Sequence, residues 1–358
     1  MSSVRRPILA ACALLTGLLT ACTGIVERQP GTRLAVLNAG GTSLGYVNTG
    51  EVSRELRGTV AVEDGVDLAT LNGGRAVALT LRKGLQQRDV NLQNPQDFPA
   101  LTPTPCLVQT AQSAARDRLL TLSQCVENGP QTLALYNADL SLVWTTTLSV
   151  TPPIPSTDIP PTRLAVRGDT GIIARAALGG GSEVVVVSRR LQTDPVQDGT
   201  PLVGTPQPSA AIRDLAPFGD LIYAATDSGV RPLLTTGVPD AQTAVAAFGN
   251  ARVDRLWAGL SGTRTLLAAW RDAALSGNGT EPLRLWDGTR TTAAPDVAQF
   301  ANLRDVTLDL NGNLYALTPT TLTGYDTVLG LNQSTWSPAL LLGNLNDARA
   351  LTWLVSAQ

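Results

Sequence analysis

Histidine is absent from the 358-residue sequence, and its absence excludes several kinds of active site. A chain without His cannot form a Ser-His-Asp or Cys-His catalytic arrangement, and it has no imidazole general base. It also has no His-ligated metal site. Lys83 is the single Lys, and 27 basic residues stand against 29 acidic ones, for a net charge of −2. This balance gives no basic patch that would indicate nucleic-acid binding.

The residues that are present indicate a folded protein. Hydrophobic residues make up 43% of the chain, which is enough to build a large core. The chain also contains 33 Gly and 23 Pro, which divide it into many short apolar segments. These segments are rich in Val, Leu and Thr, and they are bounded by Gly, Asn, Asp and Pro, as short β-strands are.

The N-terminus carries an export signal in our interpretation. Two Arg residues precede an apolar run over residues 8–19, which is too short to span a bilayer as a permanent helix. The run ends in Leu-Thr-Ala-Cys22, which resembles the lipobox of bacterial lipoproteins. The resemblance implies that residues 1–21 are cleaved and that Cys22 becomes the lipidated first residue. The alternative is an ordinary apolar leader that happens to contain a Cys.

A lipid on Cys22 would hold the protein on a membrane without spanning it. Each buried CH₂ of the attached chains contributes about 0.8 kcal/mol, so several chains make a stable anchor. Residues 22–31 would form a tether of at most about 30 Å, followed by a folded domain over residues 32–358. We expect an exported protein on the cell membrane or the outer membrane, facing the periplasm or the exterior.

The remaining cysteines predict a disulfide bond. Cys12 lies in the predicted leader and Cys22 is assigned to the lipid, which leaves Cys106 and Cys125 in an oxidising compartment. We predict that these two residues are bonded to each other. The alternative is two separate buried thiols. The sequence indicates no metal site and no cofactor.

A strand-turn-strand unit recurs along the chain. Its clearest copies begin at Asp67, Asp214 and Asp305, each of which is followed by an apolar strand, a Gly or Asn turn and a second apolar strand. Successive copies are about 47 residues apart, between the periods of roughly 40–45 and 50 residues typical of four-stranded propeller blades. The marker positions are Leu68, Leu119, Leu164, Leu215, Leu256, Val306 and Leu351.

The two ends of the chain complete one blade in this interpretation. Only one strand follows the seventh marker, Leu351, whereas three strands beginning near Leu34, Ser43 and Thr59 precede the first. Pairing the C-terminal strand with these three removes an exposed sheet edge. The sequence therefore predicts an all-β fold, a seven-bladed β-propeller closed by N- and C-terminal strands that share one blade.

Two segments resemble repeats of known propellers. Asp309-Leu-Asn-Gly-Asn-Leu-Tyr-Ala-Leu resembles the strand-turn-strand of bacterial β-propeller repeats, and residues 133–144 resemble a quinoprotein-type repeat. Together with the leader, this resemblance implies a bacterial lipoprotein of the WD-repeat/quinoprotein-like propeller superfamily. The Asp309 segment also superficially matches a calcium loop. However, Leu314 and Thr320 occupy the positions where such a loop needs Gly and a bidentate acid, so a β-turn is favoured.

A charged residue stands just before each marker. If every marker strand is the innermost of its blade, these residues form a ring at one end of the central channel. They can pair with neighbouring blades, which is a structural role, or form a polar mouth for an anionic ligand or a partner loop. The ring consists of Asp67, Arg118, Arg163, Asp214, Arg255, Asp305 and Arg349.

Two functions of different classes are consistent with these features. The leading hypothesis is a non-catalytic binding or scaffold lipoprotein whose partners are the membrane and other envelope proteins, with an unknown ligand. The alternative is an envelope enzyme on a propeller, either a quinoprotein-like dehydrogenase or a carboxylate-dependent hydrolase. No catalytic residue can be assigned from the sequence.

Overall fold

Short strands that end at Gly, Asn or Asp turns make up most of the computed structural model. It describes residues 31–50, 55–150, 158–189, 200–261 and 264–356. The predicted signal peptide and the predicted lipidation site Cys22 lie outside the described residues. Among the described helices, none combines the length and the apolar character needed to cross a bilayer.

The strands form seven antiparallel sheets, which we name blades A to G. Blade A contains β1 (Thr32–Asn38), β2 (Ser43–Asn48), β3 (Arg57–Ala61) and β28 (Ala350–Val355). Blade B contains β4 (Gly65–Leu71), β5 (Ala76–Leu81), β6 (Gly84–Asp89) and β7 (Gln96–Asp97). Blade C contains β8 (Leu107–Gln112), β9 (Arg118–Ser123), β10 (Gln131–Asn137) and β11 (Leu142–Leu148).

Blade D contains β12 (Arg163–Arg167), β13 (Thr170–Ala176), β14 (Ser182–Ser188), β15 (Leu202–Val203) and β16 (Gln207–Ser209). Blade E contains β17 (Ile212–Phe218), β18 (Leu221–Thr226) and β19 (Gly229–Pro232). Blade F contains β20 (Arg255–Ser261), β21 (Arg264–Trp270), β22 (Glu281–Trp286) and β23 (Asp296–Phe300). Blade G contains β24 (Asp305–Leu308), β25 (Asn313–Leu317), β26 (Leu322–Asp326) and β27 (Ala339–Leu342).

Little helix accompanies these sheets. The two described α-helices are α1 (Ala273–Ser276) and α2 (Thr327–Gln333), and the three short 3-10 turns are Ala39–Gly41, Asn72–Gly74 and Ala246–Phe248. An Asp side chain caps each α-helix: Asp272 accepts from the N–H of Ala274, and Asp326 accepts from the N–H of Leu329.

The chain ends close the propeller as the sequence predicts. The strand order of blade A is β28-β1-β2-β3, so the C-terminal strand is innermost and the N-terminal strands lie outside it. The register places Leu34 opposite Trp353 and Val36 opposite Leu351. The predicted seven-bladed β-propeller with N- and C-terminal strands sharing one blade is confirmed.

One marker strand is misplaced by the sequence pattern. In blade C the innermost strand is β8, and β9, which begins at Arg118, is the second strand. Leu119 is therefore not equivalent to the other markers. The charged residue before Leu119 made β9 look like an inner strand, whereas β8 follows a Pro-rich segment and has no charged residue before it.

The core is divided among the seven junctions between blades. Each of the seven buried clusters combines apolar side chains from two neighbouring blades, as Leu71 and Leu119 do between blades B and C. Leu120 and Leu164 do the same between blades C and D. Burial of one such side chain contributes roughly 1.5–3 kcal/mol. Every blade is consequently stabilised mainly by its two neighbours.

The predicted disulfide bond is confirmed. Cys106 and Cys125 are bonded, with their Cα atoms 4.8 Å apart. They flank the β8–β9 hairpin, where the N–H of Gln124 also donates to the carbonyl of Cys106 at 2.9 Å. The bond thus ties together the two ends of the hairpin that forms the inner half of blade C.

Candidate functional site

A cavity of about 520 Å³ lies on the propeller axis. All seven innermost strands line it, contributing for example Asp67, Thr110, Val166 and Leu256. Turns of blades C, D and E line it at the other end of those strands. Its volume falls within the range of roughly 300–1,000 Å³ found for small-molecule sites.

Three Asp residues near the starts of innermost strands have the same local geometry. In each case Oδ1 accepts from the N–H of the next residue, at 2.8 Å for Asp67, 3.0 Å for Asp214 and 2.8 Å for Asp305. The Oδ2 atoms reach the next blade, where they accept from the Thr110 hydroxyl at 2.7 Å, the Leu256 N–H at 2.9 Å and the Leu351 N–H at 2.8 Å. These carboxylates link adjacent innermost strands.

Asp214 also forms ion pairs with two Arg residues of the predicted ring. Its Oδ1 is 3.1 Å from Nε of Arg163, and its Oδ2 is 3.3 Å from Nε of Arg255. The Asp214 side chain is 12% exposed. Blades D, E and F therefore meet in one nearly buried charged cluster.

The remaining ring cations are placed differently. Arg349, which precedes β28, lies 3.7 Å from Asp347 in its own connection. Arg118 donates to Asp169 at 2.8 Å. Because β9 runs antiparallel to β8, Arg118 lies at the opposite end of the blade from the starts of the innermost strands. The prediction that all seven residues lie at one end of the channel is wrong for Arg118, while the other six lie at or near the starts of innermost strands.

Two of the ring carboxyls have raised pKa values. Burial raises the pKa of Asp305 to about 7, and the nearby charge of Asp67 acts in the same direction. Hydrogen bonds from the N–H groups of Leu351 and Val306 and the charge of Arg255 oppose this shift. Burial likewise raises the pKa of Asp67, against the opposing hydrogen bond from Thr110. A proton can therefore be held at this end of the cavity near neutral pH.

At the opposite end of the cavity lies Arg116, which no sequence pattern singled out. It belongs to the turn between β8 and β9 and has a left-handed backbone, with φ of +59°. Its Cζ lies 4.5 Å from the ring centroid of Trp353 in β28. Its Nη1 is buried and has no hydrogen-bond partner among the described residues. Burial lowers the pKa of this guanidinium to about 10.

A second unpredicted cation, Arg213, anchors an ionic network beside the Asp214 cluster. Its side chain is 4% exposed. It donates to both oxygens of Asp158, at 2.7 and 2.6 Å, and to both oxygens of Asp227, at 2.9 and 3.0 Å. Arg252 lies beside the same two carboxylates, 3.3 Å from the nearest oxygen of Asp158. Sequence alone carried no signal for this network, because its members are separated by up to 94 residues.

Asp309, which begins the segment that superficially matches a calcium loop, forms a contact between blades. Asp309 is fully buried, and its Oδ1 accepts from the backbone N–H groups of Asn311 and Asn313, each at 2.9 Å. Its Oδ2 accepts from the hydroxyls of Thr32 and Tyr315, each at 3.0 Å. Within the described part of the chain, no group of three or more acidic or Cys side chains could hold a metal ion.

Comparison with known proteins identifies the fold and no family. No protein-family model matches the sequence, and no curated protein matches it. The crystal structure of AztD from Citrobacter koseri is similar with a TM-score of 0.55 and 10% identity, over 92% of this chain and 100% of that chain. Apo AztD from the same organism gives a TM-score of 0.53 and 10% identity, over 89% of this chain and 83% of that one. At this identity the likeness extends to the fold alone.

Proposed function

We propose that the protein is a lipid-anchored envelope lipoprotein whose propeller binds a ligand or a partner and carries out no chemistry. The observation that carries the proposal is the axial cavity. It has the size of a small-molecule site, and Asp67 and Asp305, which line it, use their carboxylates to hold neighbouring blades together, as Asp214 does between blades E and F. We therefore assign these carboxylates a structural role beside the binding site.

The lipid anchor is supported by the Leu-Thr-Ala-Cys22 sequence at the end of the apolar leader. Cells fed a palmitate analogue that can be tagged should yield a labelled protein in the membrane fraction. Cys22→Ser should abolish the label. Cys106→Ser should keep it, because Cys106 belongs to the disulfide. A labelled Cys22→Ser variant would refute the anchor.

Engagement of other envelope proteins would use the channel end at which the innermost strands start. Arg349 is the most accessible ring cation there, with a side chain 47% exposed. Charge reversal in Arg349→Glu should reduce capture of cross-linked envelope proteins from detergent-solubilised membranes. Arg264→Glu, a control at an exposed residue beside the opposite end of the innermost strand β20, should leave capture unchanged. Equal capture by both variants would argue against an interface at this end.

One observation favours a second candidate, a carboxylate-dependent hydrolase. Asp305 faces the cavity and has a pKa raised to about 7, which is the range expected of a general acid. This candidate predicts hydrolysis of chromogenic glycosides by the wild type between pH 5 and 7, with no hydrolysis by Asp305→Asn. Binding of a ligand without turnover favours the first proposal.

A further inference from the structure

The guanidinium of Arg116 has a donor that the described residues leave unused. Its Nη1 atom is buried and has no hydrogen-bond partner among them. The side chain as a whole is partly exposed, but the buried Nη1 has given up its hydration and gained no acceptor, which is costly. Arginine offers a planar set of donors that fits a carboxylate or a phosphate.

The surroundings hold this side chain in place. The ring of Trp353 lies under the guanidinium at 4.5 Å, within the range of a cation–π contact. The ring has room because position 74 is Gly: a Cβ there would overlap Cζ3 of Trp353. The turn itself is closed by hydrogen bonds from the Arg116 N–H to the Ser113 carbonyl at 2.9 Å and from the Ser113 hydroxyl to Asp117 at 2.7 Å.

The acidic groups that line the cavity are engaged elsewhere or lie apart from Arg116. Asp117 accepts from Ser113 and pairs with Arg118 at 3.2 Å. Asp67 and Asp305 lie at the other end, where the innermost strands start. Asp220 is exposed at the turn of blade E, where its backbone carbonyl accepts from Arg167, a second cation that lines the cavity. Nη1 of Arg116 is therefore an unused donor at this end of the cavity.

Part of the cavity wall is apolar. Leu221 and Leu260 line it and are 43% and 46% exposed, and Leu68, Ala111 and Leu215 line it with smaller exposed surfaces. A small inorganic anion would leave this wall uncovered, whereas an apolar body attached to an oxyanion would cover it. The volume of about 520 Å³ is large enough for such a molecule.

We propose that the axial cavity binds an amphipathic oxyanion, with its carboxylate or phosphate group on Arg116 and its apolar body against the innermost strands. This inference rests on the proposed binding function and names the class of ligand. The Arg116 side chain donates to the oxyanion, Trp353 supports the guanidinium from below, and the apolar walls select against fully hydrated ions.

Calorimetric titration of the full chain carrying Cys22→Ser, which has no lipid, tests the proposal. The probes are octanoate, octyl phosphate, inorganic phosphate and octan-1-ol. We expect octanoate or octyl phosphate to bind at least tenfold more tightly than inorganic phosphate and octan-1-ol. A preference for octanoate indicates an acyl-chain ligand, and a preference for octyl phosphate indicates a phosphate ester.

Variants in the same background assign the binding to Arg116. Arg116→Gln should weaken binding of the preferred anion at least tenfold and leave octan-1-ol binding unchanged, whereas Arg116→Lys should restore part of the affinity. Arg82→Gln is the matched control and should bind as the parent does. Circular dichroism spectra should coincide for all variants. If Arg116→Gln does not fold, the contrast between Arg116→Lys and the parent decides the point.

Two results would overturn the inference. One is equal affinity of the parent and the folded Arg116 variants for the charged probes. The other is that none of the charged probes binds the parent. If envelope proteins are still captured in either case, the proposed binding function stands and only the ligand class fails. If the parent neither binds a probe nor captures a partner, both fail.

Discussion

Replacement of Asp214 by Asn tests whether the inter-blade carboxylates hold the propeller together. The substitution keeps the size of the side chain and removes its charge. In the wild type, Oδ1 faces the N–H of Leu215 and Arg163, and Oδ2 faces the N–H of Leu256 and Arg255. Whichever way the Asn amide turns, its NH₂ group meets two donors. No rotamer of Asn can therefore satisfy this site.

The expected cost is about 3 kcal/mol in the free energy of unfolding. A hydrogen bond to a charged group contributes roughly 1.5–3 kcal/mol, and breaking a buried ion pair costs roughly 3–5 kcal/mol. We take the lower part of that range, because the side chains of Arg163 and Arg255 are 23% and 34% exposed and water can solvate them after the change. A loss of this size lowers the folding equilibrium constant by roughly two powers of ten.

Equilibrium urea unfolding of the wild type and the variant measures this cost. The matched control is Asp296→Asn, because Asp296 also pairs with one Arg, Arg284, at 3.3 Å. Both partners are exposed there, at 54% and 41%, so its loss should cost less than about 1 kcal/mol. If Asp214→Asn is no more destabilising than Asp296→Asn, the carboxylate does not stabilise the junction between blades E and F.

Three further changes have defined outcomes. Replacing both Cys106 and Cys125 by Ser should lower stability by about 3 kcal/mol in the chain-entropy model for a separation of 19 residues, a loss that reduction of the wild type should reproduce. Asp305→Asn should remove one pH-dependent contribution to stability. The raised pKa makes the folded wild type bind a proton that the unfolded chain releases, so the stability of the wild type relative to the variant should fall by at most about 4 kcal/mol between pH 4 and 7 and then level off. A rise in that difference over the same range would contradict the assignment. Arg213→Met should cost roughly 2–4 kcal/mol by urea unfolding, because the buried guanidinium bridges two carboxylates, and Arg213→Lys should recover little of it.

The repeat and the closure of the propeller could be predicted because both are properties of spacing. Six of the seven strands that recur about every 47 residues take equivalent positions, and the C-terminal strand pairs with N-terminal strands that would otherwise leave a sheet edge open. Leu351 and Leu34 were identified in this way, and they lie in neighbouring strands of blade A. The disulfide could also be predicted from the number of cysteines, because only Cys106 and Cys125 remained once Cys12 was assigned to the leader and Cys22 to the lipid.

The position of Arg118 could not be predicted because the pattern does not distinguish strands within a blade. The second strand of a blade is as apolar as an inner strand, and in β9 both Leu120 and Leu122 are buried. A charged residue also stands before the apolar run of β9, as it does in β4 and β24. Only the sheet order, which depends on long-range pairing, places β8 at the axis.

The contact between Arg116 and Trp353 left no signal in the sequence for a related reason. The two residues are separated by more than 200 positions, and they meet because the ring of blades brings the turn of blade C across blade B to the last strand of blade A. The left-handed backbone at Arg116 is also invisible in composition, since Arg is not a residue that favours positive φ. Closure of the propeller is therefore what creates this site.

The two ends of the axial cavity consequently have different physical roles. At the starts of the innermost strands, Asp214 and Asp305 each have donors from three blades, so binding a ligand there would have to displace contacts that stabilise the fold. At the turn end, the guanidinium of Arg116 has no such contacts among the described residues, and an incoming oxyanion gains its hydrogen bonds without breaking any. Ligand affinity should therefore depend on Arg116 and stability on the Asp residues, so that substitutions at one end leave the property of the other largely unchanged.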